Sequence, residues 1–145
     1  MKTYIPSPSA YVAEHVDLYE SSGGTRGNMR HGLPCIIVTS VGRRTGGIRK
    51  TPLMRVKDGD SYILVASQGG APKNPFWYYN LKNDENVLIR DGTNVHKMKA
   101  RHIVDPVEKA ILWKLAVKAF PPYEDYRNKT ERTIPVFLAE PTEPS

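Results

Sequence analysis

Two Asp-Gly pairs do most to limit what this chain can fold into. Asp58-Gly59 lies between TPLMRVK and SYILVAS, and Asp91-Gly92 lies between NVLIR and TNVHKMKARHIV. Each pair separates β-branched, strand-like runs, and such a turn needs residues that tolerate positive φ, which makes Asp-Gly a strong hairpin signal. Two antiparallel hairpins follow. The second ends in a long strand where Lys97, Lys99 and Arg101 alternate with Met98, Ala100 and His102, so one of its faces is wet and basic.

The remaining elements fit around these hairpins. Pro34–Val41 (PCIIVTSV) reads as a buried strand, ended by Gly42. Ser7 or Ser9 caps a first helix whose Val12, Val16 and Tyr19 recur at i, i+4 and i+7, and a flexible link follows from Gly23-Gly24. Asn74-Pro75 caps a short helix carrying Phe76, Trp77, Tyr78, Tyr79 and Leu81. Asp105-Pro106-Val107-Glu108 opens a longer one, with Val107, Ile111, Leu115 and Ala119 along one face, and Pro121-Pro122 stops it. EDYRNKTER then gives a helical turn and IPVFLAEP a last strand. The sum is an α+β chain, mainly β, with about six antiparallel strands and flanking helices. Without repeated strand-helix-strand units, a closed or split β-barrel is the natural arrangement, because closure removes exposed edges. The organisation expected is an amphipathic helix and linker over residues 1–32, one barrel domain over 33–141 and a tail over 142–145.

Composition narrows the function. No apolar run approaches the roughly 20 residues that span a bilayer, and Pro6 and Pro8 break the N-terminus before a signal-peptide core could form, so a cytoplasmic protein is expected. The amphipathic first helix leaves open a peripheral contact with the inner face of the cell membrane. Cys35, the single cysteine, sits in an apolar run and reads as a packed, inert thiol. The four histidines lack zinc-ligand spacing, so no metal is expected. A net charge of +6 favours anionic partners. Its distribution says more: between Glu20 and Asp58 there is no acidic residue, while Arg26, Arg30, Arg43, Arg44, Arg49, Lys50, Arg55 and Lys57 all fall there.

The densest part of that window is Gly42–Leu53, GRRTGGIRKTPL. A P-loop is excluded, because Gly47 is followed by Ile48 rather than lysine and the segment beyond has strand character where a P-loop needs a helix. What remains is a loop between two strands whose arginines offer planar, permanently charged forks suited to a phosphate. In VASQGGAPKNPFWYYNL, Gly69-Gly70 leave room for a ligand, the next helix directs its positive dipole end to the same region, and Trp77 and Asn80 share a face. Trp77 reads either as core or as a stack on a flat ring.

Three segments, GRRTGGIRKTPLMRV, ASQGGAPKNPFWYYNL and PPYEDYRNKTERTIPVFLAEP, together resemble the deazaflavin-dependent nitroreductase and quinone reductase family of actinobacteria, from about Leu33 to Pro141. The resemblance implies a split β-barrel, the coenzyme F-420, and hydride transfer to a quinone, with nitro-arene or enone acceptors beside it. It implies that Arg43, Arg44 and Arg49 meet the coenzyme's phosphate and acidic tail, with Lys50 and Thr51 also in the coenzyme site. Pro52, Leu53, Ala66 and Ser67 would line the deazaflavin ring, Phe76, Trp77 and Asn80 would close one side, and Gln68 and Gly69 would also belong to the coenzyme site. Met54, Phe120, Tyr123 and Tyr126 would cover the substrate, with Ser67, Tyr123 and Tyr126 as catalytic donors. Two positions depart from the family pattern: Gln68 stands where members can carry a lysine, which leaves one fewer cation for the phosphate, and Met54 where a tyrosine can face the substrate. The alternatives are an FMN-dependent split-barrel oxidoreductase, a non-catalytic coenzyme-binding barrel, and a barrel binding single-stranded nucleic acid. The last is disfavoured because the aromatics cluster in helices rather than along a sheet face.

Overall fold

The computed structural model describes residues 2–142, so residues 143–145 of the expected tail lie outside it. Both Asp-Gly hairpins form. Asp58 pairs with Ser61 and Asp91 with Asn94, which leaves Gly59 and Gly92, both at φ 61°, as the first residues of two-residue loops. The aspartates are thus the last paired residues of their strands.

Eight strands make one curled antiparallel sheet, and six of them are the longer ones the sequence leads one to expect. The strand β2 (Leu33–Val41) pairs with β3 (Ile48–Met54) on one side and β6 (Asn86–Asp91) on the other. Beyond β6 come β7 (Asn94–His102), β8 (Val136–Pro141) and β5 (Ser61–Val65) in turn. The two additional strands are two-residue pieces, β1 (Met29–Arg30) against β2 and β4 (Lys57–Asp58) against β5. Because β4 continues β3 after a break at Arg55-Val56, the Val56 carbonyl accepts from Ile63 N at 2.9 Å and the bent strand joins the two ends of the sheet. A split barrel is the result.

Burial follows the pleat. Ile36 and Val38 point into the barrel core with Leu64, Ile89 and Phe137, while Cys35 and Ile37 pack outward under the first helix, so both faces of β2 are dry. Burial pushes the Cys35 thiol up to about 11, which keeps it protonated at neutral pH. On β7, Met98 and Ala100 are buried while Lys97, Lys99 and Arg101 are exposed, as the alternation requires.

The first helix, α1 (Ala10–Ser21), is capped by Ser9, whose hydroxyl accepts from Val12 N. It is fixed to the barrel. The fully buried Tyr19 hydroxyl donates to the Cys35 carbonyl and accepts from Gly92 N, each at 2.8 Å. Glu20 takes hydrogen bonds from both Lys50 and Arg90. Gly24, at φ 89°, lies so close to the β6–β7 turn that a Cβ there would sit 1.7 Å from the Gly92 carbonyl oxygen. The link after α1, expected to be flexible, is therefore held against the barrel and supplies β1.

The other helices cover the sheet's open side: α2 (Phe76–Asn83), α3 (Pro106–Ala119) and α4 (Pro122–Lys129). Asp105 caps α3 by accepting from Glu108 N, as its motif requires. The expected apolar face of α3 needs correction. Val107 and Ile111 are exposed, whereas Leu112, Trp113 and Ala116 are buried against Val65, Ile134 and Leu138. Apolar residues encircle this helix, so periodicity alone could not choose the inner face. Asn74 does not cap α2 either: Pro75 stands at the cap position, and the Asn74 side chain is engaged elsewhere. Among the described residues no helix is long and apolar enough to cross a membrane.

Candidate active site

The cationic turn between β2 and β3 is built by its own backbone. Gly42 N donates to the Gly47 carbonyl at 2.7 Å and Gly46 N to the Gly42 carbonyl at 2.9 Å. From outside, the N-terminal segment braces it, since Ile48 N donates to the Thr3 carbonyl and a Cβ on Gly47 would meet Ile5 Cδ1 at 2.5 Å. From α2, Asn80 Oδ1 accepts from Arg43 N at 2.9 Å, and the Arg43 guanidinium lies over the Tyr79 ring at 5.1 Å. Asn80 thus sets the turn's position.

Beside this turn opens a cleft with two lobes. The larger, about 540 Å³, is lined by Arg43, Arg44, Arg49 and Lys50, with Phe76, Trp77 and Asn80 of α2 facing them. The smaller, about 340 Å³, is lined by Leu53, Met54, Ser67, Gln68, Gly69, Phe120, Tyr123 and Tyr126. Thr51, Pro52, Pro75, Trp77 and Arg30 belong to both, so the lobes are continuous. No aspartate or glutamate lines either one.

Every site residue read from the sequence reaches this cleft except Ala66, which is fully buried in the barrel core behind it. A small side chain between Val65 and Ser67 alternates inward rather than toward the ligand space. Lys50 lines the cleft, but its ammonium is paired with Glu20. Burial alone would raise the Glu20 carboxyl, yet the hydrogen bonds from Lys50 and Arg90 outweigh it and hold it below its ordinary value. The turn that is free of acid in sequence therefore meets one in space. Arg43, Arg44 and Arg49 make no ion pair among the described residues.

In the smaller lobe, Phe120 and Tyr123 meet edge to face at 5.0 Å, and Tyr126 completes an aromatic wall 6.3 Å from Tyr123. Its supporting helix is tied down by the Trp113 indole N–H, which donates to Glu124 at 2.8 Å. Burial raises the Tyr123 phenol well above its ordinary value; the neighbouring Tyr126 adds to this and Arg30 opposes it. Tyr123 is a neutral donor at any physiological pH. Gly69 and Gly70 differ in purpose. Gly69 is open on its Cβ side, as a ligand approach needs, but a Cβ on Gly70 would meet the Tyr126 carbonyl at 2.8 Å. Gly70 therefore makes room for α4 and not for a ligand.

Two contributors went unread in the sequence. Arg30 reaches the cleft from the segment taken as a linker, where the His31-Gly32 pair, a short turn between two strands, was the available signal. Arg132 joins the loop after β5 to the α4–β8 connection. It donates to the carbonyls of Ala71 at 2.7 Å, Ser67 at 2.6 Å and Ala66 at 3.2 Å, and to Asn74 Oδ1 at 2.7 Å. No local pattern announces it.

The cleft defines a class: a split-barrel protein whose cleft runs from a cationic turn to an aromatic chamber. Three unpaired guanidinium forks suit a phosphodiester with carboxylates, and Pro52 and Trp77, which border both lobes, give an apolar surface that suits a flat ring, so these residues fit a deazaflavin coenzyme. The chain belongs to the F420H(2)-dependent quinone reductase family, a family of oxidoreductases whose sequence pattern matches residues 11–141. It is 34% identical over 128 residues to an F420H(2)-dependent quinone reductase of Mycobacterium tuberculosis, covering 86% of this chain and 85% of that one. A solved F420-H2 dependent reductase is 44% identical, with a TM-score of 0.69 over 74% of this chain and 94% of the other. A second solved relative, described as a domain-swapped dimer, is 41% identical, with a TM-score of 0.72 over 92% of this chain and all of the other.

Arg49 stands at the strand end of the turn, less exposed than Arg43 and Arg44. Arg49→Ala is expected to weaken binding of the deazaflavin coenzyme by more than tenfold, about 1.4 kcal/mol, with the melting temperature unchanged. A coenzyme analogue lacking the phosphate and tail should lose much less. Equal losses in titrations of both compounds would show that Arg49 does not read the anion.

Proposed function

We propose that this protein binds coenzyme F-420 along the cleft and uses its reduced form to convert a quinone to the hydroquinone in the aromatic lobe. One observation carries the reading: a continuous, acid-free cleft has three unpaired guanidinium groups at one end and three neutral hydroxyl donors at the other. When bound, the reduced coenzyme supplies a hydride, and the carbon at its redox position favours two-electron chemistry.

The chain's own residues then do three things. Arg43, Arg44 and Arg49 would hold the phosphodiester and glutamate tail, and Thr51, Pro52, Leu53 and Trp77 would border and orient the flat ring. Met54 and Phe120 close the far lobe and exclude water from the acceptor. Ser67, Tyr123 and Tyr126 present hydroxyl groups where the acceptor oxygen gains negative charge, and donors waiting in place stabilise that charge without reorganising. Tyr126, partly exposed, connects the lobe to solvent as the source of the second proton. In this reading the protein works in the cytoplasm.

Trp77 lines both lobes, so its fluorescence reports occupancy. Titration with oxidised deazaflavin coenzyme should quench it at least tenfold more tightly than titration with FMN, whose single phosphate leaves two of the three arginines unused. Single-stranded DNA, the ligand of the rival nucleic-acid reading, should bind only weakly at physiological salt. FMN binding as tightly as the deazaflavin, or no response to the deazaflavin, would overturn the assignment.

A further inference from the structure

Among the described residues, Arg30 is the one permanent cation lining both lobes, and in the smaller lobe it is the only one. Its position is built. Arg30 pairs with Leu33 across the two-residue loop His31-Gly32, where φ is 55° and 74°. This mirror-image turn needs positive φ at both central positions, which glycine adopts freely and histidine rarely does. The strained residue is also the one that anchors the loop, since the His31 ring lies 5.8 Å from Phe120 on the aromatic wall. Further back, Cys35 N donates to the Asn28 carbonyl at 3.0 Å and extends the pairing past β1. The hairpin therefore holds Arg30 where the coenzyme lobe meets the acceptor lobe.

The guanidinium is also uncommitted. Arg30 forms no ion pair among the described residues, and no carboxylate lines the cleft around it. Its field nonetheless reaches the aromatic wall, because it is the one charge that favours ionisation of the buried Tyr123 phenol. A structural arginine would spend its donors on carbonyl oxygens, as Arg132 does. Arg30 makes no such bond among the described residues, and it borders both lobes of the cleft as well as a third hollow beside α1 that includes Glu14.

We propose that Arg30 is a catalytic residue of the acceptor lobe: its guanidinium stabilises the oxyanion that forms on the acceptor, and thereby selects acceptors that reduce to one. The inference rests on the quinone reading above. In that reaction the quinone takes a hydride, two electrons and a proton, from the reduced coenzyme to become the hydroquinone monoanion, and then a proton from solvent to become the hydroquinone. Arg30 acts on the monoanion and exchanges no atom. Tyr123, Tyr126 and Ser67 offer neutral donors to the same oxygen, but a charged donor makes a hydrogen bond about twice as strong as a neutral one. Arg43, Arg44 and Arg49 line only the other lobe and do not substitute for it.

The test uses two probes of one shape on protein saturated with oxidised deazaflavin coenzyme. One is 2-hydroxy-1,4-naphthoquinone, a vinylogous acid that is ionised at neutral pH and so presents an oxyanion on a quinone ring; the other is its neutral 2-methoxy ether. The wild-type chain should prefer the anion by about tenfold or more, the value of one charge-assisted contact. Arg30→Met should bring the two affinities within about twofold of each other, Arg30→Lys should keep most of the preference, and Lys97→Met, which removes a cation exposed on β7 outside the cleft, should keep all of it. Melting temperatures and coenzyme affinity should stay near wild type in both Arg30 variants. A preference that survives Arg30→Met overturns the inference, as does a loss of coenzyme affinity in that variant with the preference intact, which would make Arg30 a tail-binding residue. Coenzyme binding without any preference in the wild type overturns the inference and leaves the proposed function standing. Failure of the wild type to bind coenzyme and both probes overturns the two together.

Discussion

Replacing Arg132 with methionine is expected to lower the melting temperature by roughly 10 °C and to weaken deazaflavin binding by more than tenfold, although Arg132 lines neither lobe. Its guanidinium is half-buried and spends its donors on Ala66, Ser67, Ala71 and Asn74, all within the loop that carries Ser67, Gln68 and Gly69 into the cleft and delivers the chain to α2. Burial disfavours its charged form, yet four acceptors hold that charge without a carboxylate. Methionine fills similar space and leaves those acceptors unpaired, at about 3 kcal/mol once partial rehydration is allowed for. The effect on binding follows because the loop then no longer fixes the hydroxyl of Ser67 or the start of α2. Arg132→Lys should recover little, since one ammonium cannot reach carbonyls spread over this loop as a planar fork does. Thermal melting and coenzyme titration of the three proteins settle the matter. Unchanged values in Arg132→Met would mean that the loop is held by its own turn, Gln68–Gly70.

The contrast between Arg132 and the elements read from sequence shows where local reading ends. Both hairpins, the capped start of α3 and the buried strand β2 are dictated by residues adjacent in the chain, so their chemistry is visible in a window of a few positions. The cleft residues are legible because the glycines and arginines of one turn concentrate positive charge that an anion would offset, and because the resemblance extends over the rest. Interactions across long sequence separation were not readable in the same way. Glu20 neutralises Lys50 from 30 residues away, and Arg132 reaches Ala66 across 66 residues. Glycine offers no side chain from which to tell a ligand's approach from a helix's, so Gly69 and Gly70 looked alike until α4 was in place. The inner face of α3 failed for a different reason: a helix apolar on most sides is oriented by its neighbours rather than by its own pattern.

Tyr126→Phe is expected to lower quinone turnover with reduced deazaflavin about a hundredfold while coenzyme affinity stays nearly constant. Tyr123 and Tyr126 are three positions apart on α4, share its inner side and line the same lobe, and neither hydroxyl has a hydrogen-bond partner within the protein among the described residues. An unpartnered hydroxyl on a cavity wall is available to whatever occupies the cavity. Phenylalanine preserves the ring contacts with Phe120 and leaves the Trp113–Glu124 bond that seats the helix, so the fold should not respond. In the proposed mechanism it removes a donor whose value appears only as charge develops on the acceptor oxygen, and such a loss falls on kcat rather than on ground-state binding. Tyr126 is the more sensitive of the pair because it alone is exposed enough to exchange protons with water, whereas Tyr123 is buried and its phenol is held protonated. Tyr123→Phe should therefore lower turnover by the same amount or less. Steady-state rates and coenzyme titrations of both variants provide the measurement. Unchanged turnover in both would leave Ser67, whose hydroxyl also faces the lobe without a partner, as the remaining neutral donor.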